Sequence, residues 1–214
     1  MTPEQVADFQ RDGAVVVRGL FKDWVDVMAE GVAENMANPG EYASENQVSE
    51  GRFFDDYCNW TRIPTFERVV RESPAAALAA TAMQSKTAQF FHDHVLVKEP
   101  GTPKPTPWHQ DAPYYFVEGQ QTVSLWMPLD VVTGASLRFV AGSHTWDKMV
   151  RPVSWSDDSA LYATGDWIPV PYPDADPHQI RVPACAMEPG DTAQLGLRTV
   201  PAARAKAMTA LPPR

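Results

Sequence analysis

The hydrophobic period changes near residue 87, and that change restricts the folds open to this chain more than any other feature. Before it, apolar residues recur at three- and four-residue steps: Val25, Met28, Val32 and Met36 fall on one helical stripe. After it, Phe91, Asp93, Val95 and Val97 alternate with His92, His94, Leu96 and Lys98, and the latter four are expected on a single sheet face. Helices first and strands afterwards is the pattern of an α+β protein, or of a β-barrel dressed with helices. A length of 214 residues fits one domain: a helical part over about 1–85, a β core over about 86–200, and an atypical tail over 201–214. The 20 Pro and 7 Trp suit a loop-rich β-protein with an aromatic-lined cavity better than a helix bundle.

Local signals place the elements. Thr2 is positioned to cap a first helix, with Pro3 at its first position, Gln5 closing a capping box, and Val6 and Phe9 on one face. Asp12-Gly13 turns the chain into a short strand over 14–17. A second helix is expected over about 22–36, ended by Asn38-Pro39-Gly40. Residues 41–62 are polar and aromatic without a clear period. Short helices follow over 64–71 and from Ser73-Pro74 to Met83. Past the Pro-rich loop at Pro100, Pro103, Pro105 and Pro107, strands are expected over 122–129 and 136–140, then a turn at Ala141-Gly142-Ser143. Gly190-Asp191 opens a last possible strand over 192–200.

The formal charge is −9 at pH 7, so the chain lacks the dense Lys/Arg face that nucleic acid or an anionic membrane requires. No apolar run approaches the roughly 20 residues needed to span a bilayer. Residues 1–20 lack the charged start and apolar block of a secretory signal, so a cytoplasmic protein with a small-molecule substrate is expected, its oligomeric state left open. Cys58 and Cys185 form neither a disulfide framework nor a metal spacing, and are expected as reduced, half-buried thiols. The segment 145–188 carries Trp146, Trp155, Tyr162, Trp167 and Tyr172, with five Asp but no Lys or Arg between Pro152 and Ile180. It is expected to cover the mouth of the core and to favour a neutral or cationic substrate over a polyanion; a solvated acidic loop is the plain alternative.

Pro107-Trp108-His109-Gln110-Asp111 carries the chemistry. On an extended chain residues two apart point the same way, so His109 and Asp111 project together. An imidazole and a carboxylate on one face supply two of the three donors of the two-His-one-carboxylate triad, which holds Fe(II) on one side and leaves three positions open. The pair alone is also compatible with a surface ion pair or a hydrogen-bonded core histidine.

Context narrows this. Phe91-His92-Asp93-His94-Val95-Leu96-Val97-Lys98-Glu99-Pro100-Gly101, followed by Thr106-Pro107-Trp108-His109-Gln110-Asp111, resembles the phytanoyl-CoA dioxygenase family. So do Ser124-Leu125-Trp126-Met127-Pro128-Leu129-Asp130, the stretch Ser136-Leu137-Arg138-Phe139-Val140-Ala141-Gly142-Ser143-His144, and the opening residues 2–21. The resemblance spans roughly residues 1–198, with its motifs in order. It implies a mainly β fold with flanking helices, a double-stranded β-helix (jelly roll), and Fe(II)- and 2-oxoglutarate-dependent hydroxylation by molecular oxygen. It implies His109 and Asp111 as iron ligands, with His94 and Trp126 lining the 2-oxoglutarate site. For Trp126 the alternative is a ring filling the barrel, and for His94 a sheet histidine bonded to a carbonyl. Gln110 alternates away from the metal face. His144 lies in a turn that the family uses structurally, and His178 lies in a Pro/Asp-rich loop.

The chain also departs from that family. The resemblance implies a distal His in the strand opened by Gly190-Asp191, at the point where Pro201 stands. It implies an Arg one strand further, whereas Arg204 and Arg214 have no such context. Residues 201–214 hold five Ala and three Pro without the alternation a strand needs, so the C-terminal strands are expected to be incomplete and the third ligand absent or borrowed. A shifted reading frame from about residue 193 or 201 is the expected origin of this tail, against a short variant completed by a partner chain. The function expected is a dioxygenase of a small organic substrate, impaired by the missing distal His. The rivals are a non-catalytic jelly-roll binding protein and a cupin-type metal enzyme, which would need more His in the barrel.

Overall fold

Thr2 and Gln5 exchange the two bonds of a capping box: Thr2 Oγ1 accepts from the Gln5 N–H (3.2 Å) and Gln5 Oε1 from the Thr2 N–H (2.9 Å). Helix α1 (Pro3–Asp12) starts there. The computed structural model describes residues 1–48, 51–99, 106–154, 159–171 and 184–203. After α1 come β1 (Ala14–Val17), a 3₁₀ turn that leads into α2 (Val25–Ala37), β2 (Ser44–Val48), β3 (Gly51–Tyr57), α3 (Pro64–Glu72), α4 (Ala75–Ala82) and β4 (His94–Lys98). The rest is β: β5 (Val123–Trp126), β6 (Val132–Val140), β7 (Ala184–Met187), β8 (Thr192–Gly196) and β9 (Val200–Ala203).

All strand pairs are antiparallel and form three sheets, β1-β8-β5, β7-β6-β9 and β2-β3-β4. The first two face each other, because Ala14, Ala193 and Leu195 of one pack against Leu137, Phe139 and Met187 of the other. This is the jelly-roll pair expected from the resemblance. The outer face of β1-β8-β5 is covered by helices through Val17, Phe21, Met28, Val69 and Leu78. Strand β8 is therefore buried on both sides: Ala193 and Leu195 face the other sheet, and Thr192 and Gln194 face the helices, where the Gln194 amide donates to the Leu78 carbonyl (3.3 Å). The third sheet rests on α2 and α3 through Phe54, Ile63, Phe66 and Val95. A fourth cluster of Trp108, Val140, Val150, Val200 and Ala202 lies on the outside of β6 and β9, packed with Trp146, Ile168 and Val170.

Two joints hold the sheets in register with the helices. Gly13 (φ 77°) ends α1, its N–H donating to the Phe9 carbonyl (2.8 Å), while its own carbonyl accepts from Gly196 N–H (2.9 Å) and Thr199 Oγ1 (2.7 Å). Asp191, at the entry to β8, accepts from Arg18 Nη1 (2.7 Å), Gly19 N–H (2.8 Å) and Glu188 N–H (3.0 Å).

Several sequence expectations need correction. Residues 41–62 hold a hairpin, β2–β3, that showed no period because Phe53 and Phe54 are adjacent and β2 is polar up to Val48. The strand expected from Phe91 begins only at His94. Upstream, the Asp93 carboxylate accepts from the N–H groups of Asn59 (3.0 Å) and Trp60 (2.8 Å), which draws the chain out of the ladder. The strand expected over 192–200 is two, β8 and β9, separated by a turn in which Thr199 N–H bonds the Gly196 carbonyl (2.8 Å). Residues 201–203 are strand despite their composition: β9 pairs with β6, Phe139 opposite Pro201 and Leu137 opposite Ala203. Cys58 is exposed rather than half-buried, at φ 64°. Cys185 lies in β7, and the residues 204–214 lie outside the described residues.

Candidate active site

Residues 106–112 are hung on the C-terminal strands by backbone bonds. Thr106 and Ala203 exchange N–H to carbonyl bonds (2.9 and 3.3 Å), the His109 N–H donates to the Pro201 carbonyl (3.2 Å), and the Ala112 N–H to the Leu197 carbonyl (2.9 Å). Gln110, fully buried, fastens the same stretch from its other side. Its amide donates to the Arg198 carbonyl and its Oε1 accepts from Val150 N–H (2.7 Å). Trp108 points outward under Arg138, whose guanidinium carbon stands 5.1 Å from the ring centre.

With Trp108 outside, His109 points in and is buried. Its Nδ1 is 2.8 Å from the Pro107 carbonyl, which can only accept, so Nδ1 carries a hydrogen and Nε2 is the nitrogen turned to Asp111 Oδ1 at 3.2 Å. Burial by itself pulls the imidazole down; the hydrogen bond and charge of Asp111, with the Pro107 carbonyl, outweigh it and hold His109 above its ordinary value. The other Asp111 oxygen, Oδ2, accepts from Ser124 Oγ (3.3 Å). Each half of the pair is thus oriented by a neighbour, as metal-holding His and carboxylate side chains are.

Trp126 is two residues beyond Ser124 on β5, hence on the same face, and packs against the core between the two sheets. His94 is not brought to the pair by any contact among the described residues. It lies on β4 with Nε2 3.8 Å from Asp55 Oδ2 and its ring edge-on to Tyr57 at 5.3 Å. Lys98, further along β4, donates to Thr106 Oγ1 (3.0 Å) and so ties the third sheet to the segment that carries His109. His144 holds the end of α1, Nε2 lying 3.2 Å from the Gln10 carbonyl. His178, Arg204 and Arg214 fall outside the described residues.

Three neighbours were not picked out from the sequence: Ser124, His92 and Tyr115. The His92 ring stands 5.0 Å from Tyr115 and feels the Asp111 charge; burial and then His94 set it below the usual imidazole value. Burial and then Asp111 push the Tyr115 phenol well above its ordinary range. The Pro113-Tyr114-Tyr115-Phe116 aromatics beside the His-x-Asp motif were the available signal for Tyr115.

Strand β9 decides whether a metal triad is complete. Val200 and Ala202 point outward with Val140, so Pro201 and Ala203 face the interior with Phe139 and Leu137. Position 201 is on the His109 side, next to the pair, and a prolyl ring offers no donor atom. Among the described residues no group of three His, Cys, Asp or Glu can hold a metal ion. The two-His-one-carboxylate set therefore does not fit the described residues: His109 and Asp111 offer two donor groups, and Pro201, where the resemblance implies a distal His, offers none.

The chain is thus a jelly roll with an oriented His-x-Asp pair on its inner side. The family model described as phytanoyl-CoA dioxygenase (PhyH) matches residues 9–207, and the chain belongs to that family. Its enzymes depend on Fe(II), 2-oxoglutarate and molecular oxygen. Among solved structures, the chain is similar to the non-heme alpha ketoglutarate dependent carbocyclase SnoK from nogalamycin biosynthesis (20% identity, TM-score 0.73, 96% of this chain and 78% of that one). It is similar to AviO1 from Streptomyces viridochromogenes Tue57 (19%, 0.70, 97% and 89%) and to EctD from S. alaskensis with 2-oxoglutarate and 5-hydroxyectoine (17%, 0.71, 97% and 72%). No curated protein matches the chain. Among the described residues no helix is long and apolar enough to cross a membrane.

Proposed function

We propose that this chain is an Fe(II)- and 2-oxoglutarate-dependent dioxygenase of a small organic substrate, impaired in turnover by Pro201. His109 Nε2 and Asp111 are its metal donors, Ser124 orients the carboxylate, and Trp126 lines the co-substrate side of the pocket. His94, implied by the resemblance as a further co-substrate contact, lies on the third sheet beside Asp55 and Tyr57. The chain works as one cytoplasmic domain. One observation supports the reading: His109 and Asp111 are oriented as a pair (3.2 Å), and the His109 N–H donates to the Pro201 carbonyl.

The test is succinate formation from 2-oxoglutarate with added Fe(II), for the native chain and for Pro201→His. Slow uncoupled turnover that rises at least about tenfold in the variant supports the reading, since loss of coordination support commonly weakens metal sites ten- to a hundredfold. The same Pro201 favours a second reading, a jelly-roll binding protein without catalysis. Neither iron retention nor succinate in either protein establishes that one instead.

A further inference from the structure

Near Asp111 a run of aromatic rings lies in mutual contact, most of them edge to face. Tyr115 stands 5.0 Å from His92, His92 is perpendicular to Tyr57 at 6.5 Å, and Tyr57 stacks on Tyr42 at 5.3 Å. Phe91 meets His92, Tyr115 and Phe116 edge-on at 4.8, 5.6 and 5.4 Å. Much of this wall faces solvent: Phe116 is 89% exposed and Tyr42 49%. A contiguous apolar surface of this kind at the edge of a site marks a place for a ligand.

Three carboxylates lie near the rings. Asp93 and Asp111 both act on His92, and Asp55 lies 3.8 Å from His94 at the outer end. The nearby cations are directed elsewhere: Arg62 bonds Asn59 Oδ1 (2.6 Å) beneath β3, and Lys98 sits over Phe53, two strand positions past Asp55. Among the described residues the cation–π contacts are Arg52 on Phe54, Arg71 on Trp60, Lys98 on Phe53 and Arg138 on Trp108. None of them covers a ring of the wall.

We infer that this wall, from Tyr42 and Tyr57 through His92 to Tyr115 and Phe116, binds the cationic end of the substrate, a small alkylated ammonium compound. The faces of electron-rich rings attract such a cation, and the three carboxylates add to the attraction. The chemistry points away from a polyanion, which these carboxylates repel. The inference rests on His109 and Asp111 being the reaction centre, because the wall ends at Asp111 and would place the cation's neighbouring carbons beside the pair.

Binding is measured without metal or turnover, so that this inference and the oxygenase reading fail separately. Choline and its uncharged isostere 3,3-dimethylbutanol are titrated by ligand-observed NMR at pH 8. Choline is expected to bind about tenfold more tightly than the isostere, and Tyr57→Leu and Phe116→Leu are each expected to weaken it by about fivefold at unchanged melting temperature. Equal binding of both probes overturns the inference in favour of a plain apolar surface. No binding of either, or a dimer that Phe116→Ser dissolves in the absence of choline binding, also overturns it. Choline bound with no succinate from Pro201→His leaves the cation wall standing and removes the oxygenase reading; succinate without choline binding does the reverse.

Discussion

His109 reaches the site through one nitrogen because the Pro107 carbonyl occupies the other, and Asp111 is held from its far side by Ser124. Two oriented donors leave most of a metal's coordination to water, so binding is expected to be weak. Calorimetry with Mn(II) should show it abolished by His109→Ala and lowered about tenfold by Ser124→Ala. Tight binding that survives His109→Ala removes the pair from the metal site. The sign of the pH effect follows from the raised imidazole. A proton shared with Asp111 stabilises the pair fully below the ordinary value of 6.5 and is lost as pH rises through the folded value. A metal must displace that proton, so affinity is expected to rise from pH 6 to pH 8. The pair itself was legible in the sequence because residues two apart on an extended chain share a direction. Ser124 and His92 were not, since only the fold brings residues 13 or more positions away against Asp111.

Among the elements, legibility followed how local the cause was. Helix α1 could be read from its capping box and its Gly13 stop, both short-range. The β2–β3 hairpin and β9 could not, because their strand character comes from the partner. Pro201 sits in a strand for a geometric reason. Its carbonyl is turned to His109, so the edge on which proline lacks an N–H faces the 106–109 segment, and Val200 and Ala202 serve the β6 ladder. Gly13 offers a test of how tightly these elements meet. A Cβ there would come 2.4 Å from His144 Nδ1 and 2.5 Å from Thr199 Oγ1, on a backbone already at φ 77°. Gly142 has a similar φ, 81°, with nothing within 4 Å. Gly142→Ala is therefore expected to cost only the backbone strain, about 1 kcal/mol. Gly13→Ala adds the clash and is expected to lose roughly 2–4 kcal/mol in urea unfolding. Equal losses would mean that the α1–β1–β8 junction gives way easily.

At the scale of the whole molecule, two buried carboxylates fasten separate elements together, and they share no partner. Asp56, on the buried face of β3, accepts from Asn35 Nδ2 (2.7 Å), Gly40 N–H (2.7 Å) and Tyr57 N–H (2.9 Å), joining the third sheet to α2. Asp191 joins the end of β1 to the start of β8. Burial alone would raise both. For Asp56 the Asn35 amide and the Gly40 N–H outweigh it, and for Asp191 the Glu188 N–H and Arg18 do, so each is held below the ordinary 3.8. The stability that a depressed carboxylate contributes is fully present above its unfolded value and is lost as pH falls through the folded one. The melting temperature is therefore expected to change little between pH 7 and pH 5 and to fall steeply below pH 4. Asp56→Asn and Asp191→Asn each leave buried N–H groups with a poorer acceptor, a loss on the order of 2 kcal/mol, or roughly 4–8 °C in melting temperature at pH 7 for a chain of this size. Because the two sites have no partner in common, the double variant should lose the sum of the two. Each substitution should also flatten the acid limb, since the group that titrates there is gone. A melting curve measured from pH 7 to pH 2.5 decides it. An acid limb as steep in the double variant as in the native chain would place acid sensitivity in other carboxylates.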